Sequence, residues 1–131
     1  MSDKFTVEII TPNKTILKTE SSEVTIPSYE GQMGILKDHI PLITFLRPGI
    51  ISLKDQEKKF YIEEGIVEFS NNNLLILSST AKNLAELSQS FIENLLNLAE
   101  SQFNNNNLSD KEKYISSYKI SILKDDIYFS L

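Results

Sequence analysis

Gly31-Gln-Met-Gly-Ile-Leu-Lys-Asp-His-Ile-Pro-Leu-Ile-Thr-Phe-Leu-Arg-Pro-Gly49 gathers most of the backbone punctuation of this chain. The chain has four glycines, four prolines and one histidine, and this segment holds Gly31, Gly34, Gly49, Pro41, Pro48 and His39, together with Arg47, the sole arginine. Glycine opens positive φ and lets backbones approach, while proline fixes φ and removes a donor, so the path here is set by turns between short extended pieces. The remaining glycine, Gly65, heads Gly65-Ile-Val-Glu-Phe69, and neither glycine nor proline follows it.

On either side of this segment the apolar residues keep a two-residue period. Phe5, Val7 and Ile9 alternate with Thr6 and Glu8, which puts three apolar side chains on one face of a strand that stops at Pro12. Further strands are expected at 15–18, 23–27, 31–36 (bent by its glycines), 42–46, 49–54, 58–62, 65–69 and 74–78, with turns such as Lys54-Asp-Gln56 and Asn71-Asn-Asn73 between them. Short strands so closely punctuated are the signature of an all-β sandwich or barrel, and an antiparallel β-sandwich is the expected form. Leu74-Leu-Ile-Leu77 is apolar on both faces and belongs at the centre of a sheet, or under a helical cover.

After Ala81 the period changes. Leu84, Leu87, Phe91, Leu95 and Leu98, flanked by Ile92, Leu96, Ala99 and Phe103, recur at three and four, the stripe of a helix over about 88–103 with Ser88 or Ser90 as its cap. Asn104-Asn-Asn-Asn107 ends it, because asparagine competes for backbone hydrogen bonds. Ser109-Asp-Lys-Glu112 is a capping box that starts a second helix, with Tyr114, Ile115, Tyr118 and Ile122 on one side, and the two helices would form an antiparallel hairpin. The end of that helix stays open, since Tyr118, Ile120 and Ile122 also alternate as in a strand. The expected division is a β-sandwich over 1–83 and a helical hairpin over 84–131.

Composition excludes several classes of function. Cysteine is absent, so there is neither a disulfide framework nor a thiolate site, which suits a reducing compartment. A net charge of −5 argues against nucleic acid, whose phosphates call for a basic face, and Arg47 is the one side chain suited to bidentate phosphate recognition. The first strand pattern begins at Phe5 with no leader before it, and no apolar run approaches the ~20 residues a membrane helix needs, so membrane association is expected through a partner and not by insertion. No Walker-type loop occurs: Gly31-Gln-Met-Gly34 has the wrong spacing and no lysine-serine pair after it. Glu63-Glu64 reads as a solvated turn, and His39 without a second histidine reads as structural or interfacial, so no catalytic, cofactor-binding or metal-ligating residue is expected.

The linked set Phe5-Thr-Val-Glu-Ile-Ile-Thr-Pro12, Val24-Thr-Ile-Pro27, Glu30-Gly-Gln-Met-Gly34, His39-Ile-Pro41 to Pro48-Gly49, Glu64-Gly-Ile-Val-Glu-Phe69 and Leu74 to Ala81 resembles the epsilon subunit of F-type ATP synthase, strongly over the first two thirds of the chain. The resemblance implies a non-catalytic rotor subunit of the central stalk that couples the gamma subunit to the membrane rotor ring, on the cytoplasmic face of the bacterial inner membrane or in an organelle-encoded equivalent. It implies interface roles for Gln32, Met33 and Gly34 in the loop that faces the ring, with His39 and Pro41 shaping the same end. Many members carry a carboxylate where Gln32 stands, so a hydrogen bond would replace an ionic contact here.

The helices in this family regulate hydrolysis by reaching subunits of the catalytic ring, and some members bind ATP there. Leu87, Ser88, Phe91 and Ile92 fall on that nucleotide motif, whose aspartate and arginine are missing from this chain, so no nucleotide is expected. The segment 109–126 has four lysines against four acidic residues, which gives little attraction to an acidic ring. Two other readings remain: a free-standing β-sandwich that binds protein or carbohydrate, for which Tyr29 and Tyr61 are the only tyrosines in the β half, and a small hydrolase, which lacks a nucleophile and base.

Overall fold

The computed structural model describes residues 3–105 and 108–127, the last three by their backbone alone. Ten strands come first: β1 Phe5–Ile10, β2 Thr15–Ser21, β3 Glu23–Ser28, β4 Gly31–Leu36, β5 Leu42–Leu46, β6 Gly49–Leu53, β7 Lys58–Ile62, β8 Gly65–Ser70, β9 Asn73–Leu77 and β10 Lys82–Asn83. A short 3-10 turn at Leu84–Glu86 precedes helix α1, Gln89–Phe103, and helix α2, Asp110–Ser121, which runs into a π turn at Ile122–Ile127. Two compact units result, Met1–Ala85 and Glu86–Leu131.

Within the β unit the strand order is β10-β7-β6-β3-β5-β8-β9-β1-β2, with β4 on the free side of β3. β3 meets β5 through one residue pair, Ser28 with Leu46, and there the sheet folds over into two layers. Alternation then does what the sequence period requires. Phe5, Val7, Ile9, Val24, Ile26, Ile35, Leu46, Ile51, Phe60, Val67, Phe69, Leu74 and Ile76 all point inward and are buried in one core. Each such side chain contributes about 1.5–3 kcal/mol by leaving water. Phe5 and Phe69 meet edge to face at 5.5 Å in its middle.

The sheet is not wholly antiparallel, as the sequence suggested it would be. β1 pairs parallel with β9, Val7 opposite Leu74 and Ile9 opposite Ile76. A parallel neighbour needs a long connection, and the whole of β2 to β8 supplies it. β9 is therefore central, as its apolar run implied, yet Leu77 on its outer side is 43% exposed. β4 was expected to bend at its glycines; it pairs with β3 without interruption from Gly31–Ser28 to Leu36–Glu23. Gly31 alone among the glycines has a positive φ, +125°, where the chain leaves the Tyr29–Glu30 turn. At Gly49 the requirement is space, since a Cβ would lie 2.8 Å from the Pro27 Cγ.

In the helical unit Ser88 caps α1, its hydroxyl accepting from the Phe91 N–H at 3.2 Å. Ser109 caps α2 by accepting from the Glu112 N–H at 3.2 Å. The Glu112 carboxylate reaches back to the cap by accepting from the Ser109 hydroxyl at 3.0 Å, so the reciprocal bond of the capping box goes to the side chain and not to the Ser109 backbone N–H. Residues 118–122 are helical, which settles the ambiguous end in favour of the 3.6 period. Asn106 and Asn107 of the polar loop, and residues 128–131, lie outside the described residues.

Candidate interaction surface

The residues singled out for an interface fall in two places. Gln32 and Gly34 point outward from β4, and Met33 between them packs half-buried against the core. Their end of the strand is fixed by Ser28, whose hydroxyl donates to the Gly31 carbonyl at 2.9 Å and accepts from the Glu30 N–H at 3.1 Å. The Tyr29 N–H donates to the Phe45 carbonyl at 3.1 Å, tying this turn to the other layer. β4 then carries the chain about 17 Å to Leu36.

His39 and Pro41 lie past that far end. The His39 N–H donates to the Leu36 carbonyl at 3.1 Å, and its ring stands edge-on to Phe69 at 5.9 Å. Asp38, in the left-handed region at φ 64°, donates its N–H to the Asn72 side-chain oxygen at 2.7 Å. The Asn72 amide returns a hydrogen bond to the Asp38 carboxylate at 2.9 Å. The sequence reading puts His39 and Pro41 at the same end as Gln32; the strand residues Met33–Leu36 and the Lys37-Asp38 turn lie between them, and the His39 corner is held to the β8–β9 turn.

A third surface was not foreseen. Phe45 on β5 is directly opposite Ile66 on β8, Ile66 opposite Leu77 on β9, and Leu77 opposite Ile10 on β1. These four side chains make an outward row across four strands, with Phe45 59%, Ile66 42% and Leu77 43% exposed. The next row across the same strands is Ile43, Glu68, Leu75 and Glu8, with Ile43 71% exposed. A continuous apolar row on a sheet whose other face is a closed core is the mark of a docking surface. Outward apolar residues at 10, 45, 66 and 77 were visible one by one in the strand patterns; their adjacency was not.

Elsewhere polar groups lock turns together. Asp55 in the β6–β7 turn accepts from the Ser22 hydroxyl at 2.6 Å and from its N–H at 3.0 Å, with Lys4 3.8 Å away. The Ser22 hydroxyl, then its N–H and the charges of Lys4 and Lys54, hold the Asp55 carboxyl below its usual range against a smaller opposing effect of burial. Gln56 donates to the Thr19 hydroxyl at 2.7 Å and to the Glu20 carbonyl at 2.8 Å, covering the end of the edge strand β2.

The Glu63-Glu64 turn is similarly held. The Ser79 hydroxyl donates to Glu64 Oε1 at 2.6 Å, and the Ser78 hydroxyl to the Glu64 carbonyl at 2.6 Å. Burial pushes the Tyr61 phenol far up, and the charge of Glu63 and the hydrogen bond to it at 3.3 Å add to the effect. These groups converge on turns and not on a cleft. Among the described residues no cluster of three histidines or carboxylates is placed to hold a metal ion.

In the helical unit the positions of the nucleotide motif are otherwise employed. The Ser88 hydroxyl serves as the α1 cap, Ile92 is buried, and Phe91 is 39% exposed. No helix among the described residues is long and apolar enough to cross a membrane.

Comparison with known proteins agrees with this geometry. The family described as "ATP synthase, Delta/Epsilon chain, beta-sandwich domain" matches residues 4–84. The ATP synthase epsilon chain of Pelagibacter ubique is 46% identical over 127 residues, covering 95% of this chain and 98% of that one. That of Rickettsia bellii is 33% identical over 101 residues, covering 73% and 94%. Among solved structures, a chain in the cryo-EM structure of the Euglena gracilis mitochondrial ATP synthase OSCP, F1 and c-ring superposes with a TM-score of 0.72 at 18% identity, over 94% of this chain and 79% of that one. That last likeness supports the fold alone. Taken with the β unit and the appended helices, these matches mean that the chain belongs to the epsilon-chain family, the non-catalytic central-stalk subunits of F-type ATP synthase.

Proposed function

We propose that this chain couples the gamma subunit to the membrane rotor ring, seated at the cytoplasmic face of the bacterial inner membrane as a peripheral subunit. The observation that carries the reading is the apolar row Phe45–Ile66–Leu77–Ile10 on rigid backbone. A part that transmits torque must bind without yielding, and side chains projecting from a closed sheet lose little entropy when covered. Gamma docks on this row. Gln32, Met33 and Gly34, at the start of β4, face the ring, and Gln32 contributes hydrogen bonds there. His39 and Pro41 form a separate rigid corner that supports the gamma side, because Pro41 leads into the strand bearing Ile43 and Phe45. The helical unit is the regulatory appendage, and the balanced charge of 109–126 makes its engagement of the catalytic ring weak.

The test is co-isolation of the tagged full chain with gamma and the ring from membranes. Wild type is expected to bring down both. Phe45→Ser is expected to lose gamma, and Gln32→Ala to weaken retention of the ring with gamma still bound. A chain that brings down neither partner would return the reading to a free-standing binding module.

A further inference from the structure

Glu68 is the anomaly of the docking face. It is directly opposite Ile43 on β5 and Leu75 on β9, with Ile66 two residues before it on the same side of β8. Glu8, the other carboxylate in that row, has Lys18 as its cross-strand neighbour. Among the described residues no ion pair or side-chain hydrogen bond engages the Glu68 carboxylate. While the face is open, water solvates the carboxylate. Once a partner covers the adjacent apolar row, that water is displaced, and a carboxylate covered without a cation carries a desolvation penalty that offsets much of what the row around it returns.

We propose that Glu68 is the polar specificity determinant of this surface, receiving a lysine or arginine side chain from the partner whose apolar residues bed against Phe45, Ile66 and Leu77. The inference rests on the docking reading above and adds to it the chemistry the partner must present: an apolar ridge with one basic residue beside it. An arginine fits best, since its planar, weakly hydrated head forms two parallel hydrogen bonds to a carboxylate and lies flat on aliphatic neighbours such as Ile43 and Leu75. The pair orients the partner, because an apolar row alone admits sliding along the strands whereas a buried charge pair permits one register.

The experiment titrates purified gamma subunit onto the immobilised full chain over a range of NaCl concentrations. Glu68→Gln, which keeps the shape of an exposed side chain, is expected to weaken binding about tenfold or more, chiefly through a faster off-rate, and to flatten the salt dependence. Glu68→Lys is expected to weaken it further, and a basic-to-acidic change in gamma should restore that variant while impairing wild type. Glu100→Gln, on the exposed side of α1, controls for net charge and should bind as wild type. Wild-type affinity and salt slope for Glu68→Gln, with binding lost in Phe45→Ser, would overturn this proposal and leave the docking reading standing. Unchanged binding by Phe45→Ser and Ile66→Ser would overturn both. Circular dichroism of each variant confirms that the strands are intact.

Discussion

The β unit and the helical unit are built on opposite economies. The first buries seventeen hydrophobic residues in one cluster and lets polar groups work only at its turns. In the second, the buried residues of the described helices and π turn are Ile92, Ala99, Ser116 and Leu123, while Phe91, Leu98, Phe103 and Tyr114 stay exposed. The two helices differ as well. α1 has an apolar stripe but no acidic residue in its first turn and no basic one in its last, whereas α2 has Asp110 and Glu112 at its start and Lys119 at its end. Both helices have a serine cap, but α1 adds an apolar stripe whereas α2 adds charges that complement its dipole. The difference separates a part whose shape is fixed from a part whose local stability is low.

Removing a phenyl ring from each unit should expose the contrast most clearly. Phe69→Ala empties the middle of the core and is expected to cost about 3–5 kcal/mol in urea unfolding. Phe91→Ala, at a site 39% exposed, should cost well under ~1 kcal/mol. Equal losses would mean that the helical unit has a core of its own. Next in size is the α2 cap: Ser109→Ala is expected to cost about 1 kcal/mol. Amide exchange should quicken over 110–114 and stay unchanged at Phe60 and Val67.

Smallest is the acid response of the β unit. The Asp55 carboxyl titrates below its usual range in the folded chain, so its stabilising effect is complete above the ordinary carboxylate pKa and is lost as pH falls through the lowered folded-state value. Asp55→Asn should therefore unfold with a shallower pH dependence in that acidic window and show no difference in slope near neutral pH. A slope unchanged by the substitution would show that the Ser22–Asp55 latch carries none of it.

Much of this architecture could be read from the chain. The strands at Phe5, Glu23, Gly31, Leu42, Gly49, Lys58 and Gly65 begin where the turn residues and the two-residue period place them, and Ser88 and Ser109 cap the helices that start behind them. Interface positions were harder. Gln32 and His39 are seven residues apart and read as neighbours, but an extended strand between them holds them apart. The apolar row is the reverse case: residues far apart in sequence that a sheet makes adjacent. Its members looked like ordinary outward positions of separate strands, and a scatter of exposed apolar residues is unremarkable on any surface.

The amino-acid sequence by itself determined which residues form strands and helices, which side of each strand faces inward, and where the chain turns, because these follow from φ preferences, capping chemistry and the period of local hydrophobicity. Only the tertiary structure decided that β1 lies parallel to β9, that Phe45, Ile66, Leu77 and Ile10 stand in one line, and that Glu68 stands beside them without a cation. Neighbours across strands are chosen by long-range pairing, on which the alternation within any one strand is silent.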